Sequence, residues 1–100
     1  MKNLLKIIIV GASGKMGQTL IKQIINDSDL KLIGAIDQSD CPSLGLDAGA
    51  LFGIKTGVII SDDLKSIIQE GDFIIDFTRP KASMNYLELS IKNNIKYVLG

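Results

Sequence analysis

The apolar run LLKIIIV at residues 4–10 passes without a break into GASGKMG at residues 11–17. A β-branched run this dense reads as a strand buried on both faces, the kind found in covered parallel sheets. Gly11, Gly14 and Gly17 then turn the chain directly into a helical pattern over residues 15–26. There Met16, Leu20, Ile21, Ile24 and Ile25 recur as the apolar, core-facing positions. Strand, glycine turn and helix in direct succession gather backbone N–H groups and the positive end of a helix at one point. That junction suits a phosphate without any cationic side chain. Glycine serves it where φ is positive, where the backbone approaches a pyrophosphate, and where helix and strand pack closely. The spacing is G-x-x-G-x-x-G rather than the commoner G-x-G-x-x-G, so the turn alone is a weakly specific sign of nucleotide binding.

The alternation continues along the chain. Residues 30–36, 58–60, 73–77 and 97–99 read as strands. Residues 64–69 read as a short helix capped by Asp62 or Asp63 and stopped at Gly71. Pro80 opens a further helix to about residue 94, with Met84 among its apolar positions. Residues 38–57 hold four glycines and a proline and read as a long loop with a helical turn. Strands and helices in this order imply βαβ units. The fold class is therefore α/β, a doubly wound, Rossmann-like parallel sheet forming one domain over residues 1–100. Such sheets bind ligands beyond the carboxyl ends of their strands. The fifth strand is followed only by Gly100, so we expect the chain to stop at its own binding edge.

A second residue supports a nucleotide. Asp37 stands twenty residues after Gly17, at the end of the second strand, where an acid receives the hydroxyls of an adenine ribose. Its charge repels the 2′-phosphate of NADP, and Gln38 follows it rather than an arginine that would welcome that phosphate. Lys15, within the turn, is placed to reach it. The reading is NAD(H), with NADP(H) tolerated.

Charge and composition exclude other classes. Eleven basic and eleven acidic residues balance, which gives no sign of nucleic-acid or membrane partners. The N-terminal apolar run is too short to span a bilayer. Cys41 is the only cysteine, which excludes an internal disulfide and suits a reducing cytoplasm. It lies beside Pro42 with no base nearby and is not expected to act as a nucleophile. The chain has no histidine, so proton transfer near neutral pH falls to Lys, Asp, Glu or Tyr, or to a group outside these residues.

Taken in order, GASGKMG, Asp37, GLDAGALFG at residues 45–53 and IDFTRP at residues 75–80 resemble the 4-hydroxy-tetrahydrodipicolinate reductases. These are enzymes of the diaminopimelate route to lysine. The resemblance covers nearly the whole chain, and the final VLG looks like the start of that family's Gly-Thr-Thr-Gly loop. It implies that Gly11, Ala12, Ser13, Gly14, Lys15 and Met16 wrap the pyrophosphate and that Asp37 holds the adenosine ribose. It also implies that Phe77, Thr78 and Arg79 lie near the nicotinamide half and that Gly100 touches the nicotinamide ribose. The family's catalytic histidine and lysine belong to a second domain, which binds the substrate and builds a homotetramer. No residues here match that domain, so we expect the chain to be inactive alone and to bind NADH weakly or not at all. Asp76 is expected to cap a helix or its neighbour, and DAGALFG to serve packing more than catalysis. The fold class alone leaves a non-catalytic NAD-sensing module open, as well as another small-molecule dehydrogenase such as a semialdehyde dehydrogenase.

Overall fold

The computed structural model describes residues 4–78, 92, 93 and 95–99. Arg79, Pro80, Met84 and Gly100 lie outside them, as does nearly all of the helix expected from Pro80 onward. Five strands form one parallel sheet: β1 (Leu5–Val10), β2 (Leu30–Ile36), β3 (Ile60–Ser61), β4 (Phe73–Asp76) and β5 (Lys96–Leu99). Their order is β3-β2-β1-β4-β5, the doubly wound arrangement that the alternating pattern implies.

β1 is the central strand, and its side chains divide between two apolar layers. Ile7 and Ile9 pack with Ile21 and Ile24 of α1 (Lys15–Ile25), together with Ala48 and Ile60. Ile8 and Val10 pack on the opposite face with Ile36, Leu64, Ile68 and Ile74. Burying such a side chain contributes about 1.5–3 kcal/mol relative to leaving it in water, so this strand anchors both layers. The amino end of β1 is less covered, with Leu4 and Leu5 exposed.

β2 carries a bulge. Ile7 pairs with Leu32 but Ile8 pairs with Gly34, which leaves Ile33 as the extra residue. Ile33 consequently turns to the same face as Gly34. A Cβ at Gly34 would lie 2.2 Å from Cδ1 of Ile67, so the missing side chain is what admits Ile67 to that layer.

Three sequence expectations need correction. Residues 64–69 do not form an α-helix; they make successive turns ending in a 3₁₀ segment at Ile68–Glu70. Asp63 does accept from the Ser66 N–H, at 3.3 Å. Six residues, however, give too few hydrogen bonds to repay helix nucleation. The third strand begins at Ile60 rather than Val58, because the returning loop claims the earlier residues. Val58 accepts from the Ala48 N–H at 2.7 Å, and Ile59 bridges Asp47 in antiparallel fashion. That pairing also covers the outer edge of β3. Finally, Met16 is not in the core but 62% exposed, since the buried stripe of α1 is Gly17, Ile21 and Ile24 and Met16 lies off it.

Candidate functional site

The chain leaves β3 on one side of β1 and returns as β4 on the other, so a crevice opens at the carboxyl ends of β1 and β4. Gly11 and Phe77 stand on its two sides. Gly11 has φ +82°, and a Cβ there would lie 3.2 Å from the carbonyl carbon of Phe77. The Phe77 N–H donates to the Val10 carbonyl at 2.9 Å, which fixes the approach.

The three glycines of the turn meet different demands. Gly11 needs a left-handed backbone. Gly17 needs the room, because a Cβ there would sit 2.2 Å from the Gly11 carbonyl oxygen. Gly14 answers to neither demand: its φ is −76°, and an added Cβ would approach nothing closer than the Gly11 oxygen at 3.5 Å. No atom of the described residues claims the space beside Gly14.

The amides divide in the same way. Gly11 and Ala12 both donate to the Ile36 carbonyl, at 2.8 and 3.1 Å, and Gly14 donates to Gly11 at 3.1 Å. The Ser13 N–H donates to Asp37 Oδ2 at 3.0 Å. The first-turn amides of Lys15, Met16 and Gly17 have no acceptor among the described residues, and no side chain caps the helix. These amides, at the positive end of α1, are the turn's free donors.

Asp37 follows β2 directly and is half-buried. Besides the Ser13 N–H, its Oδ2 accepts the Ser13 hydroxyl at 2.5 Å, and its Oδ1 accepts the Gln38 N–H at 2.9 Å. A carboxylate has about four acceptor positions, so roughly one remains open, on Oδ1. Cys41 Sγ lies 3.2 Å from Ser13 Oγ. The only hydrogen of that hydroxyl goes to Asp37, so the thiol is the donor in this contact.

Two further acids organise the surroundings. Asp47, in the DAGALFG loop, accepts from Gly49 N–H at 2.8 Å, Thr56 N–H at 2.9 Å, Thr56 Oγ1 at 2.7 Å and Gly57 N–H at 2.9 Å. The backbone N–H groups of Gly49 and Thr56, with the others behind them, hold its carboxyl well below the usual aspartate range. Asp76 closes β4 and is fully buried. Its Oδ1 accepts from the Thr78 N–H at 2.7 Å and the Thr78 hydroxyl at 2.5 Å, and its Oδ2 accepts from the Tyr97 hydroxyl. Asp76 thus caps the turn after β4 and ties it to β5.

Sequence reasoning missed Gln18. Its amide nitrogen donates to the Ala12 carbonyl at 2.7 Å and the Ala48 carbonyl at 3.2 Å, joining the glycine turn to the DAGALFG loop. The available signal was a polar residue beside the helix's buried stripe, directly after Gly17.

Comparison with known proteins accords with this geometry. Residues 5–100 match the family model described as dihydrodipicolinate reductase, N-terminus. The chain is 46% identical over 96 residues to the 4-hydroxy-tetrahydrodipicolinate reductase of Paraburkholderia phymatum and 45% identical to that of Burkholderia multivorans. Each alignment covers 96% of this chain and 36% of the relative, so the chain spans about a third of the length of the curated relatives it matches. Among solved structures it is similar to a dipicolinate-bound dihydrodipicolinate reductase from Paenisporosarcina sp. TG-14. The TM-score is 0.75 and the identity 26%, over 97% of this chain and 37% of that one. A family model, curated relatives and a solved structure that match along almost the whole chain show that it belongs to the dihydrodipicolinate reductase family, matching that family's N-terminal part.

Proposed function

We propose that the chain is the dinucleotide-binding part of a 4-hydroxy-tetrahydrodipicolinate reductase, with substrate binding and catalysis in a domain outside residues 1–100. The observation that carries this reading is the pairing of an uncapped glycine turn with Asp37 at the neighbouring strand end, bonded through Ser13. The residues fit a dinucleotide. The free amides of Lys15, Met16 and Gly17 would take the pyrophosphate. Gly11, Ala12, Ser13 and Gly14 shape the cradle around it, and the open face of Gly14 lets it approach. Asp37 would receive the adenosine ribose through its remaining acceptor position. Phe77, on the far side of the crevice, would face the nicotinamide half, and the resemblance implies the same role for Gly100, which lies outside the described residues.

Bound there, a nicotinamide would supply a hydride for the dihydropyridine ring left when the substrate loses water. This chain's own residues would orient that cofactor, and the resemblance assigns protonation to the histidine and lysine of the family's second domain. Asp37 with Gln38 beside it, rather than an arginine, supports NAD(H) over NADP(H). The assembled enzyme is a cytoplasmic homotetramer built through the second domain.

The test is a chimera in which this chain replaces the matching 96 residues of the Paraburkholderia phymatum relative. It should restore NADH-dependent reduction, while the chain alone binds NADH weakly and turns over nothing. An inactive, folded chimera would reject the assigned function, and reductase activity from the 100 residues alone would reject the division of labour.

A further inference from the structure

We propose that Ser13 is a specificity-determining residue that acts through Asp37 by pinning its carboxylate toward the ribose side of the crevice. The inference rests on the dinucleotide reading above and deepens it.

An aspartate discriminates against a 2′-phosphate only while its charge stays where that phosphate must lie. A carboxylate free to rotate about χ1 can swing aside, relieve the repulsion and admit NADP(H). Here that movement has a cost. Oδ2 holds both the N–H and the hydroxyl of Ser13, and Oδ1 holds the Gln38 N–H. Swinging out breaks the two bonds to Ser13 and leaves part-buried donors unpaired. The hydroxyl is itself held, because Cys41 lies 3.2 Å from it as a donor and Asp37 takes its only hydrogen. Ser13 is twenty-four residues from Asp37 in sequence, so the latch spans two strand ends. The same bonds withdraw Ser13 from phosphate duty, which leaves anion binding to the first-turn amides. Ser13 therefore acts on the base-proximal ribose although it sits in the phosphate turn.

The full chain and its Ser13→Ala, Ser13→Thr, Asp37→Ala and Ser13→Ala/Asp37→Ala variants would be titrated with NADH and with NADPH. Two-dimensional NMR reads weak affinities and confirms that each variant is folded. For Ser13→Ala we expect the Kd ratio of NADPH to NADH to fall about ten-fold, the effect of one hydrogen bond to a charged group. Ser13→Thr, which keeps the hydroxyl, should retain the original ratio. The double variant should match Asp37→Ala alone, because Ser13 acts only through that carboxylate. An equal change in both affinities for Ser13→Ala would overturn the proposal. So would a threonine variant that behaves like alanine, or a Ser13 effect that survives the loss of Asp37. Where the chain alone binds neither dinucleotide, the same variants are read as KM values for NADH and NADPH in the active chimera, and a Ser13→Ala ratio there equal to the parent's would end this inference alone. Binding of neither with an inactive chimera would end the dinucleotide reading itself.

Discussion

Asp37 and Asp47 are both half-buried aspartates in the connections around β2 and β3, yet they are finished differently. Asp47 receives four hydrogen bonds, three on Oδ1 and one on Oδ2, and all of them come from its own loop. Asp37 receives three, two of them from a different strand end, and keeps one position open. The glycine turn shows the same contrast, with Gly17 required by a backbone oxygen of the protein and Gly14 required by nothing in it. Groups bonded only within their own segment hold the fold. Groups left with capacity at the crevice are placed for a ligand, and stability and affinity should therefore respond to different substitutions.

The largest loss of stability is expected from Asp47→Ala, which strips acceptors from three backbone amides and a hydroxyl together. Thermal unfolding should show a greater fall in Tm than for any other change named here, and a smaller fall than for Asp37→Ala would erase the contrast. Gly17→Ala comes next. A methyl 2.2 Å from the Gly11 oxygen forces α1 away from β1, at a cost of about 1–3 kcal/mol. Tyr97→Phe removes the phenol from buried Asp76 and should cost a similar or smaller amount, about 1–2 kcal/mol, or roughly 4–8 °C in Tm per kcal/mol.

Asp47 also sets a pH dependence. Its carboxyl is held below its unfolded value of about 3.9, so it stabilises the fold above that pH and loses the contribution as pH falls toward the folded value. Asp47→Asn should flatten the decline of Tm below about pH 4. Asp37→Ala, which leaves the Ser13 donors unpaired, should lower Tm less than Asp47→Ala, and Gly14→Ala should change it least; both are measured beside NADH and NADPH titrations. Gly14→Ala should weaken both cofactors alike, and Asp37→Ala should weaken NADH more than NADPH. Unchanged affinities in both would show that the open positions serve no ligand.

Much of this was legible in the sequence because it rests on local rules. The β-branched run of β1, the helical spacing of Ile21 and Ile24, and the strand–turn–helix junction each depend on neighbours a few residues apart. Asp37 was found by its position at a strand end. The bulge at Ile33, the bonds from Ser13 to Asp37 and the Asp47 hub were not legible, since each depends on which distant segments meet. Residues 64–69 misled for the opposite reason. Their local pattern suits a helix, but packing of Leu64 and Ile68 under the sheet needs only turns. Met16 illustrates the limit of apolar spacing, which gives a face without saying where its edge falls.

The place of β1 in the sheet has a consequence for how the chain comes together. β1 is the first strand made, and β2 can pair with one of its edges soon afterwards through the short α1 connection. Its other edge waits for β4, where Ile7 meets Phe73. At about 5–20 residues per second, those sixty or so residues take roughly 3–12 seconds to synthesise. Throughout that interval the most apolar strand of the molecule has one open flank. Of the two pairings that β1 makes, the later to become possible is therefore the one that builds the crevice between Gly11 and Phe77, so that side of the ligand edge forms after the β1–β2 pair.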